Sequence, residues 1–171
     1  MLFILIGLLG VVVYQDFKSR SISWFLIPLL FVGFVANALL KIEPNELITY
    51  LGINFLLVLL NLIGVTLLLS IKEKKWVNII DNYLGLGDVL FFVVITVAFS
   101  PFNFVAFYLG SVLLITLIYG SVILINKKRN TLIPLAGAMS LLLVGFMFME
   151  QFTSLQLYQD FVISGFILGS Y

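Results

Sequence analysis

From Leu47 to Ile71 the chain runs through leucine, isoleucine, valine and asparagine without meeting a single charged residue. A bilayer-spanning helix needs about 20 consecutive, mostly apolar residues, and this stretch exceeds that. Only helices and closed barrels satisfy their backbone groups in lipid. The apolar runs are continuous instead of alternating, which argues against a barrel. Hydrophobic residues make up 63% of the 171 positions and charged residues 10%, more apolar surface than a soluble domain of this size can hide. The sequence predicts an all-α integral membrane protein with the lipid bilayer as its main partner. A net charge of +1 gives no basic field for nucleic acid.

Six spans are expected, at about 1–16, 23–40, 46–71, 84–100, 102–126 and 131–149. Pro101 marks the turn after the fourth. The sixth opens with Ile133-Pro134, and proline is tolerated in a helix's first turn. Residues 161–171 are too short to span and read as an interfacial or half-inserted tail of a single domain. Basic residues follow the first run and no small-residue cleavage site comes next, so that run is read as a retained span and not as a signal peptide.

Eight of the nine basic residues fall after spans one, three and five: Lys18 and Arg20, then Lys72, Lys74 and Lys75, then Lys127, Lys128 and Arg129. Only Lys41 lies on the other side. The positive-inside rule makes the basic side cytoplasmic and the N-terminus external.

Two absences narrow the chemistry. The chain has no histidine and no cysteine, which removes Ser-His and Cys-His catalysis, thiol nucleophiles and the usual zinc sites. The basic residues occupy hydrophilic connections, so no lysine sits inside a span to activate a serine. Carboxylates remain as the leading candidates for any catalysis.

Asp16 closes the first span and Asp88 opens the fourth. Both are expected on the cytoplasmic side at similar depth. An ionised acid within hydrocarbon is costly, so both need a reason. A lone aspartate at a helix end is usually a cap. Two that meet cannot both ionise easily. One can then draw a proton from water while the other protonates a carbonyl, which is the chemistry of an aspartic peptidase. Gly85 and Gly87 precede Asp88 in "GLGD" and allow positive φ or the close approach of another backbone. Asp81 is read as a solvated loop acid or an auxiliary substrate contact. The repeat of "YQDF" at 158–161 has no basic turn behind it and reads as chance.

Gly85-Leu86-Gly87-Asp88 at the head of a membrane helix resembles the GxGD signature of intramembrane-type aspartic peptidases. "YQDFKSRSISWFLIP" resembles the first active-site region of the type IV prepilin peptidase family, with Asp16, Arg20 and Ile22 at matching places. "IPLAGAMSLLLVG" is similar to that family's late helix opening with Ile-Pro, which places Pro134 near the site. The chain departs from the pattern at Ser23 and Gly137, where prolines are frequent, and at Leu90, where lysine is frequent. The resemblance implies removal of a short basic leader from a pilin-like or preflagellin-like precursor at the cytoplasmic membrane boundary. It implies catalysis by Asp16 and Asp88, with no metal and no organic cofactor. The Cys-rich region of the methylating members is absent, so peptidase without N-methyltransferase activity is expected. The rival reading is a small transporter, with the acids as a proton or cation site, or a non-enzymatic assembly subunit of a pilus or secretion system.

Overall fold

A computed structural model of the protein describes residues 1–76, 84–126, 133–153 and 156–159. Among these residues the chain is all helical, with six α-helices: α1 (Leu2–Ser19), α2 (Leu26–Leu39), α3 (Pro44–Glu73), α4 (Leu86–Ile95), α5 (Pro101–Asn126) and α6 (Leu135–Phe152). α1, α3, α5 and α6 are long and apolar enough to cross a membrane. The expected tail at 161–171, Asp160 and Asp81 lie outside the described residues.

The core forms where α1, α2, α4 and α6 meet. Leu5, Leu9 and Val12 of α1 are fully buried, at the spacing that lines one helical face. Asp16 continues that same face one turn further and is only 5% exposed. α6 packs most extensively against α1. It brings Ala136, Gly137 and Ser140 to a buried face, and small residues of this kind let two backbones approach closely.

α3 behaves differently. Only 11% of its spanning window is buried, and Leu60, Ile63, Leu68 and Ile71 are more than half exposed. An apolar surface of that extent suits lipid and not water.

The fourth apolar run was expected to be helical from 84 to 100, but α4 stops at Ile95. Ten residues make a helix about 15 Å long, half of the ~30 Å hydrocarbon layer. Residues 97–100 then continue as buried, non-helical chain. The Thr96 hydroxyl donates to the Val93 carbonyl at 2.6 Å. Buried irregular backbone needs partners, and Asn54 of α3 supplies them. Its side-chain amide donates to the carbonyls of Thr96 at 2.8 Å and Phe99 at 3.0 Å. The Ser100 N–H donates to the Leu157 carbonyl at 3.0 Å.

Asn54→Leu should therefore lower stability. Two buried carbonyls would lose their donor, at about 1–3 kcal/mol for each group left unsatisfied. Thermal unfolding in detergent reads the change, and an unaltered melting temperature would contradict the role given to Asn54.

Candidate active site

The first turn of α6 is where the two acids come together. Pro134 is the residue just before that helix, and its carbonyl accepts the Ala138 N–H at 3.1 Å. The early N–H groups of a helix have no partner within it, and they carry the positive end of its dipole. Here two consecutive ones are taken by two different helices. The Ala136 N–H donates to Asp88 Oδ1 at 2.9 Å, and the Gly137 N–H donates to Asp16 Oδ2 at 2.6 Å. Adjacent amides of one turn thus hold a carboxylate from α1 beside one from α4. The two are close enough for Asp16 to act electrostatically on Asp88.

Asp88 is also fixed from its own helix. It occupies the third position of α4, and its Oδ2 accepts the Gly85 N–H at 3.3 Å. This is the reciprocal half of a capping box. Both oxygens of Asp88 are thereby engaged. Asp16 Oδ1, in contrast, accepts no hydrogen bond from the described residues, so it is the oxygen open to a water or a substrate.

Glycine enters this site through proximity. Neither Gly85 nor Gly87 has positive φ: Gly85, in extended conformation at φ −71° and ψ 145°, caps α4, and Gly87 lies in its first turn. A Cβ on Gly85 would come within 3.2 Å of Asp88 Oδ2, and one on Gly87 would touch Ile22 at 3.5 Å. The tightest of the three glycines at the site is Gly137. A Cβ there would lie 2.9 Å from Asp16 Oδ2, 3.0 Å from Asp16 Cβ and 3.0 Å from the Phe17 ring.

The turn between α1 and α2 forms the opposite wall. Arg20 ends α1 in the left-handed region, at φ 52° and ψ 37°, with its N–H on the Asp16 carbonyl at 2.9 Å. A non-glycine residue held there is disfavoured by about 1–2 kcal/mol. Gln15 secures the far end of the turn, its Oε1 accepting the Ser23 N–H at 2.8 Å. Arg20, Ile22, Trp24 and Ile27 then face Leu86, Asp88 and Leu90 across a cavity of about 230 Å³ that also contains Asp16. Its walls are mostly apolar. The Arg20 guanidinium is exposed and forms no hydrogen bond or ion pair with the described residues, although its charge reaches Asp16.

The acids are recessed. Tyr119 of α5 lies within electrostatic range of Asp16 and Arg20, and α5 continues to Asn126. That is two further turns, about 10 Å. From Leu2 to Asp16 along α1 is about 21 Å by the same rise.

Of the residues singled out in the sequence, Asp16, Asp88, Gly85, Gly87 and Arg20 line one cavity, with Pro134 at the head of the helix that holds both acids. Asp81 lies outside the described residues. Sequence reasoning missed the receiving end, the amides of Ala136 and Gly137. The available signal was Ile-Pro-Leu-Ala-Gly from Ile133, a helix start with small residues in its first turn where an anion can approach the N–H groups. Among the described residues, no group of three or more acids could hold a metal ion.

In comparisons with known proteins, no family model, no curated protein and no solved structure matches this chain.

Proposed function

We propose that the protein is a membrane aspartic endopeptidase that removes the short basic leader from pilin-like or preflagellin-like precursors. The observation that carries this reading is the seating of Asp16 and Asp88 on neighbouring amides of α6. Asp88 also caps its own helix, but a cap alone would not reach a second helix. Here both carboxylates are drawn to a third helix, at the rim of a cavity, with one oxygen left open.

In this reading six segments traverse or enter the cytoplasmic membrane, the N-terminus is external, and the dyad faces the cytoplasm. The distribution of basic residues supports that orientation. A water held at Asp16 Oδ1 attacks the scissile carbonyl as one carboxylate accepts its proton. The other, protonated, donates to the carbonyl oxygen, giving a tetrahedral intermediate. Collapse with a proton returned to the leaving nitrogen yields a free leader carboxylate and a new N-terminus. The dipole of α6 holds negative charge at the pair throughout. The apolar walls suit the start of a membrane helix on one side of the cut bond.

The test uses the purified protein in detergent, incubated with several leader-bearing precursors, with and without S-adenosylmethionine. Mass spectrometry should find a product beginning at the leader boundary, with an unmethylated N-terminus in both conditions. Intact precursors beside well-folded protein would contradict the peptidase reading. Acid-dependent ion flux in vesicles would then favour the transporter.

A further inference from the structure

Gln15 stands next to Asp16 in α1 and has no part in the chemistry set out above. Successive residues of an α-helix point about 100° apart. Asp16 is turned to α6, where the Gly137 amide holds it. Gln15 is turned to the chain that leads into α2. Its Oε1 accepts the Ser23 N–H at 2.8 Å, a partly buried bond between residues eight apart.

That bond falls where the backbone has little else to hold it. Arg20 donates its N–H back to the Asp16 carbonyl at 2.9 Å. Among the described residues, the next backbone bond along the chain is that of the Leu26 N–H, on the Ser23 carbonyl at 2.9 Å. Residues 21–23, between them, are neither helix nor strand. The Ser21 hydroxyl does donate to Ser19 Oγ at 2.9 Å, but both residues are exposed, and that bond stops short of Ile22 and Ser23.

The same stretch is one wall of the cavity beside the dyad. Arg20, Ser21, Ile22 and Trp24 line it, facing Leu86 and Asp88. Ile22 reaches the first turn of α4, where its Cδ1 lies 3.5 Å from the place a Cβ would take on Gly87. The carboxylates are held differently, by the amides of Ala136, Gly137 and Gly85. None of those contacts passes through the turn, so the wall and the dyad are fixed by separate bonds.

We infer that Gln15 is a positioning residue for the substrate: by holding Ser23 it fixes the wall against which the apolar segment beyond the cut bond lies. This rests on the peptidase reading and assigns Gln15 to precursor binding, not to the chemical step. Released from Gln15, the turn would have to be ordered by the substrate, and binding would bear that cost. A rise in KM with kcat unchanged is the signature of such a loss.

The test is steady-state cleavage of a leader-bearing precursor by the purified full chain at fixed detergent, with KM and kcat determined separately. Gln15→Met matches the length of the side chain and removes its oxygen. KM should rise roughly three- to tenfold, the worth of one hydrogen bond, with kcat within about twofold of wild type. Gln15→Glu keeps an acceptor at the same reach and should return KM to the wild-type value, whatever its charge does to kcat beside Asp16. Ser23→Pro removes the donor, and in that background Gln15→Met should raise KM no further. If Ser23→Pro does not fold, the comparison of Gln15→Met with Gln15→Glu still decides. An unmoved KM in Gln15→Met, an equal rise in Gln15→Glu, or a full rise on top of Ser23→Pro would overturn the inference while leaving the peptidase reading intact. Wild type that cuts no precursor would defeat both.

Discussion

Asp16→Asn and Asp88→Asn should each reduce precursor cleavage by between about 100- and 10,000-fold, the range of a positioned acid or base. The double variant should fall no lower than the worse single one, because groups that act as a unit are not additive. Asparagine keeps the size of the side chain and an acceptor oxygen for the Ala136 or Gly137 amide, so folding should survive. Melting temperature in detergent checks that point, and initial rates of leader release check the loss. Asp160→Asn belongs in the same series as a control, since the second "YQDF" copy is read as chance. Independent, multiplicative losses at Asp16 and Asp88 would mean that the two acids do not share one step.

Gly137→Ala is the second large effect, and it needs no change to a titratable group. The added methyl would meet Asp16 Oδ2, Asp16 Cβ and the Phe17 ring, all at 2.9–3.0 Å. The Asp16 Cβ is fixed to the backbone of α1 and cannot turn away, so α1 itself would have to move away from α6. A displacement of about 1 Å in a catalytic group can lower the rate about 100-fold. Contacts of 2.9–3.0 Å are relieved by a smaller shift of a few tenths of an ångström, so cleavage by Gly137→Ala should fall on the order of tenfold, with both aspartates present. Ala136→Gly serves as the companion, because it keeps the amide that holds Asp88 and adds no bulk. It should retain most activity. Normal cleavage by Gly137→Ala would mean that the Gly137–Asp16 contact does not position the acid.

Much of the helical layout was legible because a membrane helix declares itself by length and polarity. The run from Leu47 to Ile71 falls within α3, and the acids at its borders stand out against hydrocarbon. The faces were not legible. In a water-soluble helix the polar side separates core from surface, whereas Leu9, buried, and Leu68, exposed, look alike in sequence. The early end of α4 was hidden for a related reason. Val97, Ala98 and Phe99 are as apolar as the helix before them, and the residue that lets the chain stop being helical, Asn54, lies on another helix.

At the site, Asp16 and Asp88 could be picked out as acids next to apolar spans. What receives them could not, because a backbone N–H has no letter in a sequence. Gly137 appeared there only as a missing proline. In the fold its place is explained twice: a proline would carry no N–H for Asp16, and any Cβ would crowd it. Ser23 follows similar logic, since its N–H is the group that Gln15 holds.

The central claim is that water placed by Asp16 and Asp88 cuts a peptide bond without a covalent intermediate. Its most direct test is a single-turnover cleavage of a leader-bearing precursor in H₂¹⁸O, with the fragments and the intact protein weighed together. The account predicts one ¹⁸O in the new carboxyl terminus of the leader, a complementary trimmed product, and no mass added to the protein at any time point. Uncut precursor, or a leader fragment attached to the protein, would contradict it.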